Sequence, residues 1–141
     1  MTSIVDLLSL NTSERANLDS LANAPGEHKR FMSGDTIIAE GDSADSMFFV
    51  LEGKMQVIVN HLTVDERLVS TLKSGDMFGE MALFLQEPRT ATVVAVGDVA
   101  LIEITRDTIM EFLSESPENA FIIIELLCKR LKNVISSLAD Y

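Results

Sequence analysis

Hydrophobic and polar positions change rhythm twice along the chain. The first ~25 residues carry a helical spacing: Asn11 and Glu14 stand like a helix cap and its reciprocal partner, Leu18 and Leu21 follow on one face, and Pro25-Gly26 closes the segment. From residue 34 to residue 104, short runs rich in Val, Ile, Phe and Thr take over, at 36–38, 47–51, 55–59, 68–72, 92–95 and 99–104. Between them stand Ser33-Gly34-Asp35, Glu40-Gly41-Asp42, Glu52-Gly53-Lys54, Ser74-Gly75-Asp76 and Gly97-Asp98, the punctuation expected of strands. Regular strand spacing with glycine-containing turns predicts an antiparallel sandwich or barrel.

After residue 104 the helical spacing returns. Thr105 can cap a short helix through Leu113, and Ser116-Pro117-Glu118 sets an N-cap, a first-turn proline and an early acid in the favoured order. In the next element Ala120, Ile124, Leu127, Leu131, Val134 and Leu138 are spaced alternately four and three apart. They form one seam on a helix of roughly 24 residues and ~36 Å, widened by Phe121, Cys128 and Ile135. Such a stripe can pack on the body of its own chain, cover a pocket or pair with a second copy, and spacing alone does not choose among these. The expected organisation is one domain over 1–141, with an N-terminal helical segment at 1–30, a β body at 31–104 and C-terminal helices at 105–141.

Length and composition narrow the function classes. A chain of 141 residues with 47% hydrophobic content has the size of one well filled domain. Its longest apolar run, 120–124, is far below the ~20 residues that cross a bilayer. The start Met1-Thr2-Ser3 lacks the pattern of a secretory signal, and the single Cys128 has no partner within the chain for a disulfide, so the cytoplasm is the expected location. A formal net charge of -11 argues against a nucleic-acid-binding surface and requires any anionic ligand to be held by local geometry. Enzymatic readings find little support. A metalloenzyme of the cupin kind needs clustered histidines, and only His28 and His61 occur, far apart in sequence. Cys128 lies on the apolar helix face, where packing rather than catalysis is expected.

Against that acidic background the stretch "FGEMALFLQEPRTAT", residues 78–92, stands out. A helix beginning near Gly79 points its free N–H groups and positive dipole end outward, which makes an anion seat. Gly79 lets the backbone approach a ligand. Pro88 is expected to end the helix, placing Arg89 at the mouth of a rigid turn with paired donors that match two phosphate oxygens. Thr90 adds a hydroxyl and an N–H. Glu80 would repel a bare phosphate, but it fits a ligand that also presents hydroxyl donors, as a sugar phosphate does. Met81, Leu83, Phe84 and Leu72 are available to line the pocket or its floor, or to pack in the core.

These residues resemble the phosphate-binding cassette of the cyclic nucleotide-binding domain family, found in bacterial cyclic AMP receptor proteins, regulatory subunits of cyclic AMP-dependent protein kinase and nucleotide-gated channels. "FMSGDTIIAEGDSADSMFFVLEGKMQV" and "LKSGDMFGE" are similar to the family's glycine-punctuated strands, and the likeness covers roughly residues 7–140. The resemblance implies a mainly β fold, an eight-stranded antiparallel jelly roll (double-stranded β-helix) with N-terminal helices and a C-terminal helix pair. It implies a regulatory, non-enzymatic sensor of signal transduction that binds cyclic AMP, with cyclic GMP as the alternative ligand and no catalytic cofactor. Arg89 would hold the cyclic phosphate and Glu80 would accept from the ribose 2'-hydroxyl. Gly79, Ala82 and Thr90 would supply backbone contacts, with Met81, Ala91 and Leu72 nearby. Ligand capture would reposition the helix at 117–140, bringing Arg130 and Val134 towards the purine. Receptor-type relatives continue into a helix-turn-helix, whereas this sequence ends at Tyr141, so direct DNA binding is not expected of it. The chain reads as a free-standing sensor, which Met1 favours, or as a domain of something larger. Its downstream protein partner is unknown, and a homodimer through the C-terminal helix is open. The rival reading is an interaction or dimerisation module that kept the jelly roll and lost the ligand.

Overall fold

The computed structural model describes residues 26–139. The helix expected before Pro25 lies outside that range. Strands β1 (Glu27–Phe31), β2 (Thr36–Ile38), β3 (Ser46–Val59), β4 (Arg67–Leu72) and β5 (Met77–Phe78) precede helix α1 (Glu80–Leu85). Strand β6 (Thr92–Thr105) leads to α2 (Arg106–Glu115) and α3 (Pro117–Ala139). The strands make one antiparallel sheet in the order β1-β6-β3-β4, with β2 also pairing β6 and β5 pairing β3.

β3 and β6 are the spine. They pair from Ser46↔Thr105 to Ile58↔Thr92, each 14 residues long. The sequence pattern divides each into two strands at Glu52-Gly53-Lys54 and Gly97-Asp98, but the ladder runs through both points with register shifts on either side of Glu52. Bulges bend a strand without ending its pairing. Gly53 makes this possible, since a Cβ at its φ of 99° would lie 2.4 Å from the carbonyl oxygen of Asp98. Six strands therefore stand among the described residues where eight are expected.

Two further differences are local. Glu27–Phe31 is a strand paired with Val99–Glu103, so the β body begins before residue 31. Its sequence, EHKRF, has no β-branched residue and is stabilised by pairing rather than by propensity. β5 is only two residues long and carries no period to read.

The uninterrupted apolar run of β3 reflects burial on both faces. Met47 and Phe49 join Ile102, Ile104, Ile109, Phe112 and Ile123 in a core under the helices. Phe48 and Val50 point the other way, into a second core with Met55, Val57, Leu72, Phe78 and Leu101 inside the sheet's fold. Each large apolar side chain so buried contributes about 1.5–3 kcal/mol.

The helices are tied down by specific caps. Thr105 accepts from the backbone N–H of Thr108 at 3.3 Å to start α2. Arg106 donates to the carbonyl of Leu83 at 2.8 Å, a cation at the C-terminal end of α1. The buried Asn119 donates to the carbonyl of Phe112 at 2.7 Å and closes the corner between α2 and α3. α3 docks through Ile123, with Leu126 and Leu127 packed against the core. Part of the seam predicted for this helix faces outward: Ile124, Leu131 and Val134 are each more than half exposed, as are the flanking Phe121 and Ile135, whereas Ala120 is partly buried and Leu127 packs on the core. Among the described residues no helix is long and apolar enough to cross a membrane.

Candidate functional site

The loop from α1 to β6 folds back on the turn at residues 41–42. Arg89 donates its backbone N–H to Asp42 O at 2.8 Å and accepts from Gly41 N at 2.9 Å, so its backbone is clamped from both sides. α1 ends at Gln86, which caps it in the left-handed conformation at φ 55°, two residues before the proline expected to end it. Pro88 thus sits in the connection rather than acting as the terminator.

The Arg89 side chain turns inward and is only 6% exposed. Nη1 donates to Gly79 O at 3.0 Å and Nη2 to Ser46 Oγ at 3.4 Å. Cζ lies 5.6 Å from the centre of the Phe48 ring, a cation–π distance, and Phe48 is itself stacked on Phe78 at 4.8 Å. Burial lowers its pKa from the ordinary guanidinium value, while the charges of Glu103, Asp42 and Glu80 act the other way. The group stays charged at any physiological pH. Gly79 is required by this packing: it holds φ 81°, and a Cβ there would stand 2.8 Å from Arg89 Nη1.

Glu80 is 2% exposed, an extreme value for an acid. Arg130, from the middle of α3, meets it with Nη1 at 2.8 Å from Oε1 and 3.0 Å from Oε2, and the same nitrogen donates to Met77 O at 2.5 Å. Burial raises the Glu80 carboxyl above its ordinary 4.5, against the opposing charges of Arg130 and Arg89 and its own backbone hydrogen bond. Among the described residues, no three His, Cys, Asp or Glu side chains cluster as metal ligands.

Around these groups lies a single small cavity, about 50 Å³ and partly open to solvent. Gly79, Glu80, Met81, Ala82, Arg89, Thr90, Ala91 and Arg130 line it, against an apolar wall of Ile38, Val57, Phe78 and Val93. Leu72 does not line it; that side chain is in the inner core with Val57 and Phe78. Val134 is 51% exposed and also stands apart from the lining. The apolar wall carried no signal as a site in the sequence, because each of its residues reads as an ordinary strand position. Ser46 and Glu103 were equally hidden; a buried arginine needs acceptors, but spacing does not say which.

The sequence profile described as "Cyclic nucleotide-binding domain" matches residues 28–116. The chain belongs to the cyclic nucleotide-binding domain family. It is 28% identical over 110 residues to the CRP-like cAMP-activated global transcriptional regulator of Mycobacterium tuberculosis, covering 78% of this chain and 49% of that protein. To the cAMP-dependent protein kinase regulatory subunit of Aspergillus niger it is 37% identical over 101 residues, or 72% of this chain and 23% of the relative. The chain thus spans about half or less of the length of these relatives. The crystal structure of Thermus thermophilus catabolite activator protein superposes with a TM-score of 0.71 at 27% identity, covering 93% of this chain and 60% of that one. The antiparallel sheet with flanking helices is this family's β fold.

Proposed function

We propose that the chain is a regulatory module that binds a 3',5'-cyclic nucleotide, with cyclic AMP as its principal ligand. The observation that carries this reading is the pairing, in one small cavity, of a buried guanidinium and a buried carboxylate. An anion alone would not need Glu80, and a neutral sugar would not need Arg89. A cyclic phosphate on a ribose needs both. Arg89 takes the phosphate; Gly79, Ala82 and Thr90 supply N–H donors; Glu80 accepts from the ribose 2'-hydroxyl. In this cavity the phosphate lies beside Arg89 and the base along Ile38, Val57 and Val93. Cyclic AMP is preferred to cyclic GMP because the two relatives named above are described as cAMP-activated and cAMP-dependent.

Arg130 gives this site an output. Its contact with Glu80 ties α3 to the pocket, and a ribose hydroxyl arriving at Glu80 enters the same ion pair. Ligand binding therefore shifts the position of α3, by no more than its difference in affinity for the two arrangements. Arg130 acts here on the carboxylate rather than on the purine. The signal passes to a protein partner, in the cytoplasm, without chemistry on the nucleotide and without contact to nucleic acid. The single-domain organisation and the jelly-roll topology belong to the same proposal, β3 and β6 each standing for two strands of the roll.

Calorimetric titration with cyclic AMP and cyclic GMP tests it. Micromolar or tighter binding of cyclic AMP is expected. No heat and no thermal shift at millimolar concentrations of either nucleotide would sink the sensor reading and favour an interaction module.

One observation favours an added role for α3. Phe121, Ile124, Leu131 and Ile135 are exposed at spacings of three, seven and four, with Cys128 exposed between Ile124 and Leu131, the periodicity of a coiled-coil seam. A second copy of the chain is the proposed occupant. Sedimentation that finds only monomer at high concentration, with and without nucleotide, would remove it.

A further inference from the structure

A chain of polar contacts runs from the solvent edge of the sheet to the back of Arg89. Lys29 on β1 pairs with Glu103 Oε1 on β6 at 2.5 Å. Ser46, at the start of β3, donates its hydroxyl to Glu103 Oε2 at 2.6 Å. Arg89 Nη2 reaches the same Ser46 oxygen at 3.4 Å. The direction of these bonds is forced. A guanidinium only donates, a carboxylate only accepts, and a serine hydroxyl has one proton, so that proton goes to Glu103 and its oxygen faces Arg89.

This arrangement differs from a direct ion pair in a way that matters for an anion site. A carboxylate placed against Arg89 would take its two donors side by side and neutralise it. Ser46 keeps the carboxylate one hydrogen bond away. Lys29 holds the other oxygen of Glu103 and balances its charge locally. Burial pushes the Glu103 carboxyl up, but hydrogen bonds from Lys29 and Ser46 and the charges of Lys29 and Arg89 outweigh it, leaving it below its ordinary 4.5 and ionised at neutral pH. With Nη1 fixed on Gly79 O and the Phe48 ring beneath Cζ, the guanidinium plane is held at three points.

We propose that Ser46 and Glu103 are positioning residues of the anion site, fixing the plane of the Arg89 guanidinium while leaving its charge for the ligand. The ligand part of this inference rests on the cyclic nucleotide reading; the positioning part does not. Nitrogen-15 NMR of the ligand-free chain reads the latter directly. The parent should show separate, slowly exchanging Nη signals for Arg89. Ser46→Ala should merge or broaden them, Ser46→Thr should keep them, and Glu103→Gln should fall between. Arg89 signals unchanged in both Ser46→Ala and Glu103→Gln would overturn the inference. If Ser46→Ala fails to fold, the nearly isosteric Glu103→Gln decides by the same spectrum.

Titration with cyclic AMP supplies the second arm. Ser46→Ala should weaken binding about tenfold in the parent, the scale of one lost hydrogen bond to a charged group. It should have no further effect when Arg89 is already lysine, whereas a merely structural role would weaken both backgrounds alike and overturn the proposal. A parent that binds no cyclic nucleotide would refute the functional reading, and the guanidinium spectrum would still decide this one.

Discussion

In residues 79–91 two charged side chains, Glu80 and Arg89, are buried, and on α3 apolar side chains are exposed. Both regions invert the usual distribution, and they invert it differently. Glu80 and Arg89 are 2% and 6% exposed, yet each has partners with good geometry: Arg130 for the acid, Gly79 O and Ser46 for the base. Among the described residues no buried side-chain polar atom lacks a hydrogen-bond partner. Buried charge is expensive unless it is paired in this way, so the cassette is a site the fold has committed to holding. The outer face of α3 is the opposite case. Phe121, Ile124, Leu131, Val134 and Ile135 are more than half exposed, and nothing in the described chain covers them. In one region the buried groups are satisfied within the chain; in the other the apolar groups are left uncovered. Arg130 is the residue that joins them.

The widest separation between body and helix should appear in folding. Leu101 is fully buried on β6, and Leu101→Ala should cost ~2–5 kcal/mol in urea unfolding, the range for a cavity left in a packed core. Leu131→Ala, on the exposed face of α3, should stay within about 0.5 kcal/mol for the monomer. A loss above that on Leu131→Ala would mean that the seam packs on its own chain, and the contrast would fail.

Binding comes next. Arg89→Ala removes a charge-assisted contact and should weaken cyclic AMP by ~2 kcal/mol or more, about thirtyfold, with circular dichroism showing a folded chain. Parent-like affinity in a folded Arg89→Ala would show that the phosphate lies elsewhere.

Within the site, the two carboxylates should respond to pH with opposite sign. The Glu80 carboxyl is raised above 4.5 by burial, so its contribution is fully present below that value and is lost as pH rises through the raised pKa. Glu103 is held below 4.5, so its contribution is present above that value and is lost as pH falls through the lowered pKa. Urea melts from acid to neutral pH should therefore show the parent losing stability relative to Glu80→Gln as pH rises, and relative to Glu103→Gln as pH falls. The same sign for both would contradict the environments described. The smallest effect is that of Leu131→Gln on ligand affinity, expected to be within twofold if the seam serves only a second copy; sedimentation should show loss of any dimer.

The sequence alone determined what depends on local spacing. Short runs rich in Val, Ile, Phe and Thr and glycine turns marked most of the β body, Thr105 and Pro117 marked the starts of α2 and α3, and Gly79, Glu80, Arg89 and Thr90, the proposed ligand contacts, stood together in one short stretch. Local spacing says which face a side chain occupies. It does not say what stands opposite. Ser46 lies 43 residues from Arg89 and 57 from Glu103, and Arg130 lies 50 residues from Glu80. Only the tertiary fold brings these together, because such contacts are set by the register of β3 on β6 and by the docking of α3. The same applies to β1, whose polar sequence forms a strand only against Val99–Glu103. It applies again to α3, where the run from Ala120 to Cys128 is apolar on nearly every face. Docking through Ile123 rather than Ile124 decided which face met the core and which was left exposed.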